Sequence, residues 1–216
     1  MAKIIGLIQV KGGAGRSTVS TNLATLLSTK GKTALIDCDL PQGTSMSWYA
    51  MRAAEELTKN LTLITAHDHK ELVKQIQNIN QTFDYIVLDA PPRIAEVTRA
   101  MLMLCDLIII PLGASMADIW ATSDLLETIE EAKQSRPQLD CRILWNRYRA
   151  YTKSAKELSE AVHQELDAPE FKTRLGMRVA YSEAMATGRA VTEYRDKAAK
   201  KEMMALGREL MKILKD

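Results

Sequence analysis

Residues 11–18 read Lys-Gly-Gly-Ala-Gly-Arg-Ser-Thr, three glycines with two cations and two hydroxyls directly after an apolar run, Ile4–Val10. That combination suits a polyphosphate. Glycine lets the backbone curl until successive N–H groups point into one concavity, and the start of the following helix adds positive potential there. Gly12, Gly13, Ala14 and Gly15 are expected to form the cradle. Ser17 is expected to offer its hydroxyl to Mg²⁺ and Thr18 to bond near the α-phosphate. A glycine-rich turn without a ligand is the alternative, and the flanking cations argue against it. Two further apolar runs end in acids, Thr33–Asp37 continuing to Asp39 and Tyr85–Asp89 continuing to Pro91 and Pro92. Side chains alternate along extended chain, so Asp37 and Asp39 share a face. Asp89 is placed to hold Mg²⁺ through a water, since that ion keeps several of its waters. Each of these acids has a second reading as the cap of the next helix.

Phosphoryl transfer asks a protein to neutralise charge and orient water, so no Ser-His-Asp or Cys-His set is required. His67, His69 and His163 lie outside these segments and read as solvated residues near helix starts. Cys38, Cys105 and Cys141 are scattered in apolar contexts with no CxxC pair, and read as buried free thiols.

The elements that must position these groups follow from periodicity. Strand-length runs fall at Ile4–Val10, Thr33–Asp37, Leu61–Thr65, Tyr85–Asp89, Leu107–Pro111 and Cys141–Trp145. Helical patterns separate them at Arg16–Lys30, Thr44–Glu56, His69–Asn78, Ile94–Leu104, Ala117–Ser135 and Ser154–Asp167, with two more at Tyr181–Ala186 and Asp196–Leu214. Alternation of this kind predicts an α/β fold, a doubly wound and mostly parallel sheet with helices on both faces. The carboxyl ends of such strands are where ligands bind, and all three chemical segments sit there. At 216 residues, 46% hydrophobic and 26% charged, the chain is read as one domain, 1–216, with no linker or repeat. No apolar run reaches the ~18 residues of a membrane span, and the N-terminus lacks a cleavage site, so a cytoplasmic location is expected.

The segment KGG-x-G-[KR]-[ST] resembles the deviant Walker A box of the ParA and MinD superfamily of P-loop ATPases. The match extends to Asp37–Gln42, similar to the family's D-x-D-P-Q, though Leu40 intervenes here, and to Asp89, similar to its Walker B acid. Leu144-Trp145-Asn146-Arg147 resembles the strand end whose asparagine binds adenine; a turn residue is the other reading of Asn146. Ala180–Val191 resembles the stretch that closes the nucleotide site. The resemblance implies ATP and Mg²⁺ as cofactors, with Ser17, Asp37 and Asp89 around the metal and Asp39 positioning the attacking water. Lys11 would reach the nucleotide of a partner subunit in an ATP-sandwich homodimer. Arg16 stands where the family carries lysine. A guanidinium is planar and bulkier than an ammonium, so the implied ATP hydrolase is expected to be slow or to bind nucleotide less tightly. Alternatively, Arg16 simply serves as the phosphate-binding cation.

The family's small ParA-type members partition or position cargo (plasmid, chromosome region or protein assembly) by binding DNA non-specifically as ATP-bound dimers, and a cargo adaptor stimulates hydrolysis. The chain begins at its first strand, with no N-terminal helix-turn-helix module, so DNA contact falls to the α/β domain. Lys197, Lys201, Arg208, Lys212 and Lys215 are spaced to form one stripe on the last helix, the candidate DNA surface, which also reads as a merely solvated face. Association with the nucleoid in the ATP state would follow. Met203, Gly207, Leu210, Met211 and Leu214 form a second stripe, expected to pack on the sheet. A MinD-like membrane-associated ATPase is the alternative function, disfavoured because the apolar face of this helix lacks Trp and Phe. Relatives with an intersubunit iron–sulfur cluster, and ligases related to dethiobiotin synthetase, fit less well: the cysteines are badly placed for the former, and the latter do not need Lys11.

Overall fold

The computed structural model describes residues 1–40, 42–93, 95–113, 115–149, 166 and 168–215. The described strands are β1 Lys3–Leu7, β2 Thr33–Asp37, β3 Leu61–Thr65, β4 Tyr85–Asp89, β5 Leu107–Leu112 and β6 Asp140–Trp145. They form one sheet in the order β3-β2-β4-β1-β5-β6, and every pairing is parallel. Helices α1 Arg16–Ser28, α2 Thr44–Ala54, α3 His69–Ile79, α4 Glu96–Leu104 and α5 Met116–Ser135 supply the crossovers. After β6 come α6 Val179–Met185, a 3₁₀ turn Val191–Glu193 and α7 Lys197–Ile213. The helix expected at Ser154–Asp167 lies outside the described residues.

Strand residues divide by parity, as a two-sided sheet requires. Ile5, Leu7, Leu35, Val87 and Ile109 pack with α1, α6 and α7, whereas Ile4, Ala34, Ile36, Ile86, Leu88, Ile108 and Ile110 pack with α3, α4 and α5. The expected apolar stripe of α7 is inward: Met203, Gly207, Leu210 and Leu214 are buried and Met211 partly so. Beside β6 the chain adds a ragged edge, with Glu170 bridging to Ile143 and Gly176 to Tyr148.

β1 ends sooner than its apolar run, at Leu7, although Ile8 N still donates to Ile109 O at 3.1 Å before the chain leaves the sheet for the glycine loop. The side chain of Gln9 is buried there, donating to Pro111 O and Thr122 Oγ1 and accepting from Val10 N. All three cysteines are buried free thiols, with burial raising each pKa, so none is available as a thiolate. Among the described residues no helix is long and apolar enough to cross a membrane.

Candidate nucleotide-binding site

Parallel strands bring the loops after β1, β2, β4, β5 and β6 to one edge of the sheet. Asp37 and Asp89 are register partners on adjacent strands, and Leu7, the last residue of β1, pairs with Asp89 from the other side. Gly12, Gly13, Gly15, Ser17, Thr18 and Asp39 line a cavity of about 390 Å³ at this edge. Gln42, Thr44 and Arg147 also line it and, with Thr18, are shared with a larger cavity of about 1070 Å³ walled by α2, α6 and the exit of β6.

The loop backbone depends on glycine at two of its positions. Gly13 has φ +78° and Gly15 φ +95°, the left-handed region in which side chains are strained. A Cβ on Gly15 would also lie 2.2 Å from Asn146 Nδ2. Gly15→Ala must therefore move either the loop or the strand end that braces it. Strain of ~1–3 kcal/mol plus the clash should lower ATP affinity about 10- to 100-fold in calorimetric titration. Unchanged affinity would show that the loop is not the phosphate site.

The cations occupy unexpected places. Arg16 is buried, and its guanidinium points beneath the loop rather than across it. Nε donates to Ala90 O at 2.9 Å, and Nη1 donates to the carbonyls of Gln9 and Lys11, while Nη2 lies 4.0 Å from Asp39 Oδ2. Burial lowers its pKa, opposed by Asp89 and then Asp39. Lys11 Nζ pairs with Asp118 at 2.7 Å and lies 3.4 Å from Ser115 Oγ. Ser115 caps α5 by accepting from Asp118 N, so Lys11 is drawn to the acidic first turn of that helix.

The acids divide their roles. Asp37 is fully buried and works as an organiser: Oδ1 accepts from Asp39 N at 3.0 Å and Oδ2 from Met46 N at 2.9 Å. Both oxygens are engaged by backbone, the arrangement that the capping alternative of the sequence reading describes. Asp39 projects into the cavity near Arg16, its pKa raised by burial, lowered by Arg16 and raised by Asp37. Asp89 is wholly buried. Ser45 Oγ donates to its Oδ2 at 2.7 Å, while Oδ1 has no partner. Burial, with the charge of Asp37, pushes its pKa up to about 6, against the hydrogen bond from Ser45, the nearby Ser17 hydroxyl and the charge of Arg16.

Mg²⁺ fits this donor set. The unpartnered oxygen of Asp89 and the hydroxyl of Ser17 beside it are hard oxygen donors. Among the described residues there is no cluster of three or more His, Cys, Asp or Glu for an all-protein cage. Few protein ligands plus phosphates and waters is the coordination Mg²⁺ favours.

Asn146 reaches the site as expected, but its amide braces the loop. Nδ2 donates to Ala14 O at 2.7 Å and Oδ1 accepts from Arg147 N, leaving one N–H and one lone pair for a base. No residue of α7 lines either cavity, and Lys197, Lys201, Arg208 and Lys212 on it and Lys215 just beyond it are all exposed. Sequence reasoning missed Ser45, Asp118 and Gln9. A hydroxyl three residues after the Asp39–Gln42 loop was a faint signal for Ser45; nothing local marks Asp118, 107 positions from Lys11.

The model of the MipZ ATPase family matches residues 3–205. Over 188 residues the chain is 28% identical to the maintenance of carboxysome distribution protein A of Halothiobacillus neapolitanus, covering 87% of this chain and 85% of that protein. Apo McdA from Cyanothece superposes with a TM-score of 0.80 at 17% identity, covering 97% of this chain and all of that one. MinD of Pyrococcus horikoshii, solved with Mg-ADP, gives 0.75 at 16% identity, with 99% and 97% covered.

Proposed function

The chain belongs to the MipZ ATPase family, within the ParA/MinD superfamily of positioning ATPases, and from that premise we propose that it is an ATP-driven DNA-tethered switch. ATP and Mg²⁺ occupy the cradle of residues 12–18, with Ser17 and Asp89 as the metal's protein partners. When bound there, Mg²⁺ would neutralise charge on the phosphates. Asp37 fixes the Asp39 segment by holding its N–H, and Asp39 orients the attacking water. Hydrolysis is slow because Arg16 is bound to backbone carbonyls rather than presented to the phosphates. Two ATP-loaded copies form a sandwich in which Lys11 of each reaches the other's nucleotide, and a cargo adaptor stimulates hydrolysis to release the dimer. The single observation that carries this reading is the glycine cradle with a buried, half-partnered Asp89 close to its Ser17.

The DNA surface we propose is α7. Its acids are turned inward: Glu202 is held by Arg178 and accepts from Gly176 N, and Glu209 accepts from Lys172 N and Thr173 N. The outward stripe therefore keeps its cations, with Met204 the one large apolar side chain exposed among them. Dimerisation doubles this footprint and so ties DNA affinity to ATP. The test is retention on DNA at fixed salt with ATP, with ADP and without nucleotide, beside anionic liposomes. Retention on DNA only with ATP is expected. Neutralising Lys201, Arg208 and Lys212 together should weaken it at least ~10-fold and flatten its salt dependence by about three cations' worth. Retention on liposomes instead would make the chain a MinD-like membrane-associated ATPase.

A further inference from the structure

A bound polyphosphate carries several negative charges, yet the two cations of the glycine loop are engaged by protein groups in this structure. Arg16 is tied to the carbonyls of Gln9, Lys11 and Ala90, and Lys11 to Asp118. Arg147 differs from both. It lines the 390 Å³ cavity together with Gly12, Gly13, Arg16, Asp39 and Pro92, its side chain is exposed, and, unlike those of Arg16 and Lys11, its charged group has no partner among the described residues.

Its backbone is also held in an unusual state. Arg147 has φ +53°, the left-handed region that an arginine seldom adopts. The conformation is fixed from both sides, since its own N–H bonds to Asn146 Oδ1 at 3.0 Å and Tyr148 N donates to Leu175 O at 2.9 Å. Asn146 in turn grips Ala14 of the glycine loop. Local strain of this kind persists where neighbouring bonds over-determine it, and here they set one cation against the wall of the cradle.

We infer that Arg147 is the phosphate-facing cation that each subunit supplies to its own nucleotide, contacting the β- and γ-phosphates and taking the part that Arg16 leaves open. The inference rests on the reading that the cradle binds ATP. A guanidinium suits it, because its planar fork donates to two phosphate oxygens at once.

The experiment titrates wild type, Arg147→Gln and Arg147→Lys with ATP, ADP and AMP, by displacement of a fluorescent ATP, after thermal melts confirm that the variants fold. A charge-assisted contact to the outer phosphates predicts that Arg147→Gln loses about 10-fold or more affinity for ATP and ADP but less than about 3-fold for AMP. Arg147→Lys should recover most of the loss. A loss as large for AMP would place Arg147 on the ribose or α-phosphate and overturn the inference, as would ATP affinity within about 3-fold of wild type. A wild type that binds no ATP would instead overturn the proposed function, so the two failures are distinct.

Discussion

With Lys11 replaced by alanine, the protein is expected to bind ATP and remain monomeric, and to lose ATP-dependent DNA retention with the dimer. In the structure the Lys11 ammonium is 38% exposed and shared between Asp118 and Ser115. A half-solvated pair of that kind contributes ~1 kcal/mol or less. Across a sandwich the same ammonium would meet phosphate charge away from water, a contact of ~1.5–3 kcal/mol. Exchange of Asp118 for phosphate is therefore downhill once a partner arrives, and twofold symmetry makes the exchange twice. Losing both contacts should weaken dimerisation about 100-fold or more, read by sedimentation with ATP or a non-hydrolysable analogue. Asp118→Ala is the control: it frees Lys11 without removing it, and dimerisation should be equal or tighter. An undiminished Lys11→Ala dimer would remove the case for a nucleotide sandwich.

The second large effect concerns Asp89. Its folded pKa, about 6, lies above the unfolded 3.8, because burial disfavours the charged form. The folded chain thus holds this proton longer than the unfolded chain does. The carboxyl's contribution favours folding at low pH and is lost as pH rises from about 4 to about 6. Above that window the buried carboxylate is a standing cost on the order of 3 kcal/mol. Asp89→Asn should therefore stabilise the nucleotide-free protein by ~2–3 kcal/mol at pH 7.5 and by little near pH 4, in urea denaturation. The same change should cut Mg²⁺-dependent hydrolysis at least ~100-fold, since the anionic oxygen is what the metal's water would address. A variant less stable than wild type at pH 7.5 would show that the charge is already compensated within the protein.

Function and stability are opposed at this residue. The unpartnered oxygen of Asp89 is a cost to the nucleotide-free chain and the feature a hydrated cation would relieve. Ser45, at the start of α2, holds the other oxygen, so the helix that follows the Asp39 loop is anchored to the metal-side acid.

By itself the sequence determined the α/β architecture, the six strands and the described helix ends to within two residues, with β2, β3 and β4 matching to the residue. It also determined which loops carry the glycines and acids. These are local properties: parity of apolar residues specifies a strand, a 3.6-residue period a helix, and Gly13 and Gly15 a turn that other residues would strain. The tertiary structure alone decided which groups meet. Asp118 reaches Lys11 because β5 lies beside β1, so that α5 starts next to the glycine loop. Asn146 grips Ala14 because β6 ends at the same edge, and Arg16 turns under the loop because the carbonyls of Gln9, Lys11 and Ala90 converge there. The Lys11–Asp118 and Asn146–Ala14 contacts join residues more than a hundred positions apart. No periodicity or local spacing encodes them, because they are set by strand order and by the need of buried charges to find partners.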